Sequence, residues 1–158
     1  MKKNEHILNS VIDECKRHAK RMNFAYQKLS KLIPLTKEHL LEFKEEEVAL
    51  IDQLIYRFTK LQDAIGQKLF KNVLAILDED TANKSAIDIF NRLEQLEIIK
   101  DYDTWKDLRD LRNELAHEYE EDEGSLTEEL NMLFRKKFAL EKYLEDIIQF
   151  LNGRGFKF

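Results

Sequence analysis

The feature that most constrains the fold is a stripe of apolar residues that recurs every three or four positions over about residues 44–77. Its members are Val48, Ile51, Leu54, Ile55, Phe58, Leu61, Ile65, Leu69, Val73 and Ile76. This spacing places all of them on one face of an α-helix. The chain has only one proline and four glycines in 158 residues, which leaves little material for β-turns. The sequence therefore predicts an all-α protein.

Similar apolar spacing in the rest of the chain predicts a bundle of about five helices. The first covers about residues 5–32, and Pro34 ends it, because a proline ring disfavours helical geometry in the residue before it. Its apolar face contains Ile7, Leu8, Val11, Cys15, Met22, Ala25, Tyr26 and Leu29. The apolar faces of the later helices include Ile87, Phe90, Leu93, Leu96, Leu130, Leu133, Phe134, Phe138, Tyr143, Ile147 and Phe150.

Polar residues mark the expected ends of these helices. Three pairs have the spacing of a capping box and predict the starts of the third, fourth and fifth helices: Ser85 with Asp88, Thr104 with Asp107, and Ser125 with Glu128. Thr36 is expected to cap a short turn after Pro34. Gly153 and Gly155 end the last helix and leave a short flexible tail, residues 153–158. Gly66 lies inside the long second helix, where it costs roughly 1 kcal/mol relative to alanine, so we expect another helix to approach closely there.

Length and composition indicate one domain, residues 1–158, from a reducing compartment. A chain of this length can bury a stable apolar core without disulfides or structural metals, and its single Cys15 cannot form an internal disulfide. We interpret Cys15 as a small apolar residue of the first helix. No apolar run approaches the ~20 residues needed to span a bilayer, and the amino terminus lacks the apolar core of a signal peptide. We expect a cytoplasmic protein without a membrane segment.

The charge distribution is uneven. The chain has 26 basic and 31 acidic residues, a net charge of −5, which argues against binding nucleic acid by general electrostatic attraction. Residues 1–31 contain eight bases and three acids, whereas residues 101–129 contain three bases and twelve acids. The first helix is therefore the better candidate for contacting a phosphate backbone, with a solvated charged face as the alternative.

The segment with the clearest chemistry is residues 112–119, RNELAHEY. Arg112 is permanently charged, and its planar guanidinium can bind a phosphate through two hydrogen bonds. His117 titrates near neutral pH and can move a proton during a reaction. The counts of arginine, histidine and tyrosine in this chain give only about 0.006 chance matches to Arg-x4-His-x-Tyr. The residue types point to chemistry on a phosphate ester without a metal.

Arg112, Asn113, His117 and Tyr119 match the Arg-polar-x3-His-x-Tyr pattern of HEPN domains, and the chain most closely resembles the HepT-like branch. The resemblance implies an up-down helical bundle that forms a homodimer. It also implies a metal-independent endoribonuclease, the toxin of a toxin–antitoxin pair, with Arg112 and His117 as the catalytic pair and no cofactor. The partner in such systems is a minimal nucleotidyltransferase, the antitoxin, which can transfer AMP to the motif tyrosine, here Tyr119.

Helical geometry leaves two interpretations of Arg112 and of Tyr119. At 100° per residue, Arg112 lies within the apolar arc of its helix, with Trp105, Leu108 and Leu115. Arg112 must therefore face a cleft or pair with an acid on a neighbouring helix, and Asp63 is one candidate. Tyr119 shares this face, as an AMP acceptor or as a core tyrosine with its hydroxyl at the edge.

His117 lies about 140° around the helix and roughly 7.5 Å along it from Arg112, so one helix does not bring the two side chains together. A two-fold axis beside this helix would bring two such pairs around one groove. The alternative for His117 is an imidazole that interacts with the carboxyl end of the helix dipole. Asn113, one turn before His117, can orient the imidazole or bind a phosphate, or it is simply a solvated polar residue.

No other motif competes with this segment. His6, His18 and His39 are isolated in the sequence and have no metal-ligand spacing, and residues 78–80 form an acidic cluster in a helix-ending loop. We therefore expect a HepT-like endoribonuclease that acts on RNA without a metal. The alternative function is a non-catalytic subunit that binds a nucleotidyltransferase or presents its substrate.

Overall fold

A computed structural model describes residues 2–118 and 123–158, and every regular element within these residues is helical. This confirms the all-α prediction. The helices are α1 (Lys2–Leu29), α2 (Lys37–Glu42), α3 (Glu45–Ala64), α4 (Phe70–Ile76), α5 (Ala86–Gln95), α6 (Tyr102–Glu118) and α7 (Glu123–Gly153). A 3-10 turn, Ser30–Leu32, follows α1, and a π-helical turn, Ile65–Leu69, joins α3 to α4 without a break. The long second helix of the sequence analysis is thus α3 and α4 together.

Two of the predicted helix starts are confirmed by their hydrogen bonds. Thr36 accepts from the backbone N–H of His39 at 3.2 Å, and the His39 ring accepts from the N–H of Thr36 at 3.0 Å. Ser85 accepts from the N–H of Asp88 at 3.2 Å, and the Asp88 carboxylate accepts from the N–H of Ser85 at 3.3 Å. In both cases two backbone donors that the helix itself leaves unpaired are satisfied.

The other two predicted starts are wrong. α6 begins at Tyr102, and Asp101 caps it, because its carboxylate accepts from the backbone N–H of Thr104 at 3.3 Å and from the Thr104 hydroxyl. A carboxylate is the stronger acceptor at the positive end of a helix, so Thr104 lies inside the first turn. α7 begins at Glu123, so Ser125 also lies inside a helix rather than before it.

The core forms where α1 packs along α3 and where α6 packs against both α7 and α3. Most of the predicted apolar faces are buried, including the whole α3 and α4 stripe except Val48 and the half-buried Ile55. Four residues of the predicted faces are exposed, because the apolar stripes are wider than the contacts between the helices: Ile7, Val48, Ile87 and Phe138. No helix in residues 2–118 or 123–158 is long and apolar enough to cross a membrane.

Gly66 allows α6 to approach the π-helical turn closely, as the sequence predicted. A Cβ atom at Gly66 would lie 2.9 Å from Cζ2 of Trp105, closer than carbon atoms pack without strain. The Trp105 ring is fixed on its other sides by Phe70 and Tyr143, with ring centroids at 4.9 and 5.2 Å. This aromatic cluster fixes the first turns of α6 against the core, two turns before Arg112.

α7 ends at Gly153 as expected, and the residues after it fold back. Gly155 has a φ of 95°, and the N–H of Phe156 donates to the carbonyl of Leu151 at 3.1 Å, which closes the last turn. The N–H of Phe158 donates to Oδ1 of Asn152 at 3.0 Å, and both phenylalanines pack partly buried against the core. The tail that was predicted to be flexible thus lies against the end of α7.

Candidate functional site

The guanidinium of Arg112 on α6 pairs with the carboxylate of Asp63 on α3. Nε and Nη2 of Arg112 donate to the two carboxylate oxygens of Asp63, each at 3.0 Å. An ion pair with Asp63 is one of the two interpretations that the position of Arg112 on the apolar arc allows. The Arg112 side chain is 29% exposed and that of Asp63 24%, so the pair lies at the surface of the bundle rather than within the core.

The ion pair leaves part of the Arg112 guanidinium free to bind another group. A guanidinium has five N–H donors, and a bidentate carboxylate on its Nε edge uses two of them. The other three lie on Nη1 and Nη2, and among the described residues Nη1 has only a long contact of 3.5 Å to Oδ1 of Asn113. Asp63 therefore fixes the orientation of the guanidinium while the edge that suits a phosphate remains accessible.

This site opens into a cleft of about 330 Å³ between α3, the π-helical turn and α6. Part of its lining is apolar, namely Phe70 and Trp105, which packs against Gly66. Two arginines one turn apart, Arg109 and Arg112, line the α6 side. The lining residues are Gln62, Asp63, Gly66, Gln67, Phe70, Ala86, Trp105, Arg109, Arg112 and Asn113. With two guanidinium groups and one carboxylate, the cleft has the charge to accept an anion.

The remaining motif residues are only partly within the described structure. Asn113 is exposed beside Arg112, where it can contact a bound group. The backbone of α6 is helical through Glu118, which keeps His117 roughly 7.5 Å along the axis from Arg112. The side chain of His117 and all of Tyr119 lie outside the described residues, so their roles stay predictions.

The structure corrects the view of His18 as an isolated histidine. His18 is buried between α1 and α3 with a relative exposure of 8%. Its Nδ1 lies 2.9 Å from Nη1 of Arg57, and its Nε2 lies 3.2 Å from the carboxylate of Glu14. Lys68 donates to the other oxygen of Glu14 at 2.9 Å. Glu14 is four residues before His18 on the same helix, so the sequence spacing allows their contact. Nothing in the sequence indicates the contact of His18 with Arg57.

Burial and the contact with Arg57 favour the neutral form of the His18 ring. Arginine only donates hydrogen bonds, so Nδ1 must accept and the proton must lie on Nε2, which donates to Glu14. Burial is the main cause that lowers the pKa of His18 from its ordinary value, and the positive charges of Arg57 and Arg17 lower it further. Hydrogen bonding and attraction to Glu14 act in the opposite direction without reversing the shift. A proton on Nδ1 would break the contact with Arg57.

We expect His18 to make the stability of the bundle depend on pH. In the unfolded chain His18 has its ordinary pKa, near 6.5, so below about pH 6.5 the unfolded state takes up a proton that the folded state takes up only at lower pH. The contribution of His18 is therefore complete above that pH and is lost as the pH falls toward the lowered folded pKa. Urea unfolding followed by circular dichroism at about pH 7.5 and pH 5.5 should show a larger decrease for the wild type than for His18→Gln.

His6→Gln is the matched control, because His6 is an exposed histidine of the same helix. It should keep the pH dependence of the wild type. An unchanged pH dependence in His18→Gln would show that the ring does not couple folding to protonation.

Other groups singled out in the sequence have structural roles. Burial raises the pKa of the Cys15 thiol to about 12, so it is a buried apolar residue as predicted, not a reactive thiol. Glu79, in the acidic loop, pairs with Arg92 of α5 at 2.7 Å. Among the side chains that the structure describes, those of residues 3–116 and 125–158, no three acidic, histidine or cysteine groups are arranged as a metal site requires.

A comparison with protein-family models, with curated proteins and with solved structures gives no match to this chain. The resemblance to HEPN domains therefore depends on the sequence of residues 112–119 alone.

Proposed function

We propose that this chain is a HEPN domain of the HepT-like branch, an up-down helical bundle that acts as a metal-independent endoribonuclease. In this proposal it is the toxin of a pair whose antitoxin is a minimal nucleotidyltransferase. The observation that carries the proposal is the oriented guanidinium of Arg112, held by Asp63 at an open cleft on the same helix as His117. A phosphate-binding group and a group that titrates near neutral pH are the minimum for cleaving RNA without a metal.

In the proposed mechanism, the free edge of Arg112 binds two non-bridging oxygens of the scissile phosphate and stabilises the negative charge that grows there. One His117 takes the proton from the 2′-hydroxyl, whose oxygen attacks the phosphorus atom. The bond from phosphorus to the 5′-oxygen breaks, and a second His117 returns a proton to that oxygen. The products are a 2′,3′-cyclic phosphate and a 5′-hydroxyl. Asp63 is a positioning residue, because it acts only through Arg112.

The proposal includes a homodimer with the two α6 helices near its axis. Positions 112 and 117 lie about 140° apart around one helix, so in this proposal a second protomer is needed to place both groups on one phosphate. The exposed α6 residues beside His117, namely Asn113, Glu114 and Ala116, leave this face open for a partner. Light scattering at micromolar concentration should give the mass of two chains, and a strictly monomeric species would contradict this assembly.

The experiment that tests the activity is incubation of the purified protein with single-stranded RNA in the presence of EDTA. We expect cleavage at the same rate with and without the chelator. Cleavage that disappears with EDTA would indicate a metal enzyme. No cleavage by a correctly folded dimer under either condition would favour the alternative function.

The alternative is a non-catalytic subunit that binds a nucleotidyltransferase or presents its substrate. The observation that favours it is the same ion pair, because Asp63 neutralises the charge of Arg112 in the isolated chain. The net charge of −5 also opposes RNA binding. A stable complex with the nucleotidyltransferase, together with no cleavage of RNA by the free protein, would support this function.

The proposal predicts that AMP transfer to Tyr119 switches the ribonuclease off. At 100° per residue, the sequence spacing puts Tyr119 on the Arg112 face, so the added nucleotide would fill the groove and place negative charge where RNA must bind. Incubation with the partner nucleotidyltransferase and ATP should add the mass of AMP to the peptide that contains Tyr119, and RNA cleavage should stop. Mass spectrometry and a cleavage assay measure the two effects.

Tyr119→Phe should gain no mass and should keep cleaving RNA in the presence of the partner. The half-buried Tyr102 at the other end of α6 provides a control, since Tyr102→Phe should be modified like the wild type. Equal modification of Tyr119→Phe would show that another residue is the acceptor.

A further inference from the structure

A long segment of this acidic protein contains no acidic residue. Residues 15–37 include seven lysines and arginines and neither aspartate nor glutamate. The bases are Lys16, Arg17, Lys20, Arg21, Lys28, Lys31 and Lys37. Most of this segment is the second half of α1, a regular helix, so its side chains have defined positions relative to one another.

One face of α1 presents a row of these bases with an aromatic ring among them. Arg17, Arg21, Phe24 and Lys28 follow one another at intervals of four, three and four residues, which places them on the same side of the helix. All four are exposed, and the Phe24 ring is 56% exposed. The ammonium of Lys28 lies 5.7 Å from the centre of that ring.

The adjacent face of α3 presents a second exposed ring with two cations. Tyr56 is 52% exposed, and its ring centre lies 5.2 Å from the Arg57 guanidinium carbon and 5.6 Å from the Lys60 ammonium nitrogen. Two hydrogen bonds fix α3 beside the basic row of α1. Gln53 donates to the carbonyl of Arg21 at 3.0 Å, and Arg57 contacts His18 at 2.9 Å. The two rows therefore form one surface, which we call the basic aromatic surface.

This surface leads toward the Arg112 cleft. Tyr56, Lys60 and Asp63 are spaced by four and three residues, so they share one face of α3, and Tyr56 lies roughly 10 Å along the axis from Asp63. Asp63 holds Arg112, whereas Trp105 lies against Gly66, so α6 runs in the opposite direction to α3 where they meet. The carboxyl end of α6, which carries His117, thus extends from Asp63 toward Tyr56, which lies near the middle of α3.

We infer that the basic aromatic surface binds single-stranded RNA and leads it to the Arg112 cleft, an inference that rests on the proposed function. Unpaired bases stack on exposed aromatic rings, while nearby cations contact the phosphates, and this combination characterises single-strand binding. The exposed Lys60, and the guanidinium nitrogens of Arg57 that do not contact His18, can contact phosphates when a base occupies the Tyr56 ring. A double helix hides its base faces and would not use the ring. The exposed Asp52, one turn before Tyr56, limits the surface at that end.

The test is the affinity of the full chain for a fluorescent 2′-O-methyl RNA of about 12 nucleotides, measured by fluorescence anisotropy at about 50 mM salt. The methyl group blocks the proposed 2′-oxygen attack, so binding is measured without cleavage. Tyr56→Leu should bind about tenfold more weakly, because it loses a stacking ring, whereas Tyr56→Phe should bind like the wild type. Tyr56 is exposed, so both variants should remain folded, and circular dichroism checks this.

The contribution of charge is tested with two double variants of equal net charge. Arg17→Gln with Arg21→Gln should weaken binding and reduce the slope of log affinity against log salt by about 1.4, which corresponds to two lost phosphate contacts. Lys84→Gln with Arg135→Gln, at two exposed positions outside this surface, should change neither.

Unchanged binding by Tyr56→Leu, or equal loss in both double variants, would overturn the inference. Binding to duplex RNA or to phosphatidylserine vesicles in place of single-stranded RNA would also overturn it. The proposed RNA-binding surface and the proposed ribonuclease activity can be refuted independently. Single-stranded RNA bound through Tyr56 but never cleaved would refute the ribonuclease and leave the surface, whereas cleavage with normal binding by Tyr56→Leu would refute the surface and leave the ribonuclease.

Discussion

Replacement of His117 by alanine is expected to reduce RNA cleavage by about 10²–10⁴-fold, because the variant lacks the group that moves the proton between the 2′-hydroxyl and the leaving oxygen. The bundle should remain folded, since its core is formed by apolar residues elsewhere on α6, including Trp105, Leu108, Leu111 and Leu115. The measurement is the single-turnover cleavage rate, with circular dichroism to compare the folds.

His6→Ala is the matched control, an exposed histidine far from α6 in sequence. Its cleavage rate should equal that of the wild type. A His117→Ala variant that cleaves RNA at the normal rate would remove His117 from the mechanism and leave the ribonuclease without its acid and base.

Replacement of Arg112 by lysine is the second large effect that we expect, a decrease in the cleavage rate of about 10²–10³-fold. Lysine keeps the positive charge, but it lacks the planar guanidinium that can bind Asp63 on one edge and a phosphate on the other. The rate constant should fall more than the affinity for RNA, because the loss is in the stabilisation of the transition state.

The Asp63→Asn variant tests whether Asp63 acts by positioning the Arg112 guanidinium. The amide keeps the size of the side chain but accepts only one strong hydrogen bond from Arg112, so we expect a decrease of about tenfold in the cleavage rate. In the double variant with Arg112→Lys, the Asp63→Asn change should have little further effect, because Asp63 acts through Arg112. Full additivity of the two changes would show that Asp63 has a role of its own. Normal cleavage by Arg112→Lys would show that only charge is required at this position.

The fold was predictable where it depends on local pattern. The apolar spacing over α3 and α4, the caps at Thr36 and Ser85, and the close approach at Gly66 all follow from residues near in sequence. The start of α6 was misplaced because Asp101 competes with Thr104 as the capping residue and is the stronger acceptor. The exposure of Phe138 depends on which helices lie beside α7, and local pattern does not contain that information.

The candidate site was predictable only in part. The position of Arg112 on an apolar arc required either a cleft or a buried acid, and the structure has a cleft with Asp63 at its edge. The contact between His18 and Arg57 joins residues 39 positions apart, so no spacing rule indicates it. The basic aromatic surface likewise depends on the pairing of α1 with α3, although the acid-free segment that forms half of it is visible in the sequence.

The most direct measurement of the proposed chemistry is the identity of the RNA ends that the wild-type protein produces in the presence of EDTA. The mechanism with Arg112 and His117 predicts fragments that end in a 2′,3′-cyclic phosphate and begin with a 5′-hydroxyl, because the 2′-oxygen is the attacking group. Mass spectrometry distinguishes these from the alternative products. Fragments with a 3′-hydroxyl and a 5′-phosphate, or no fragments once the metal is chelated, would contradict the mechanism.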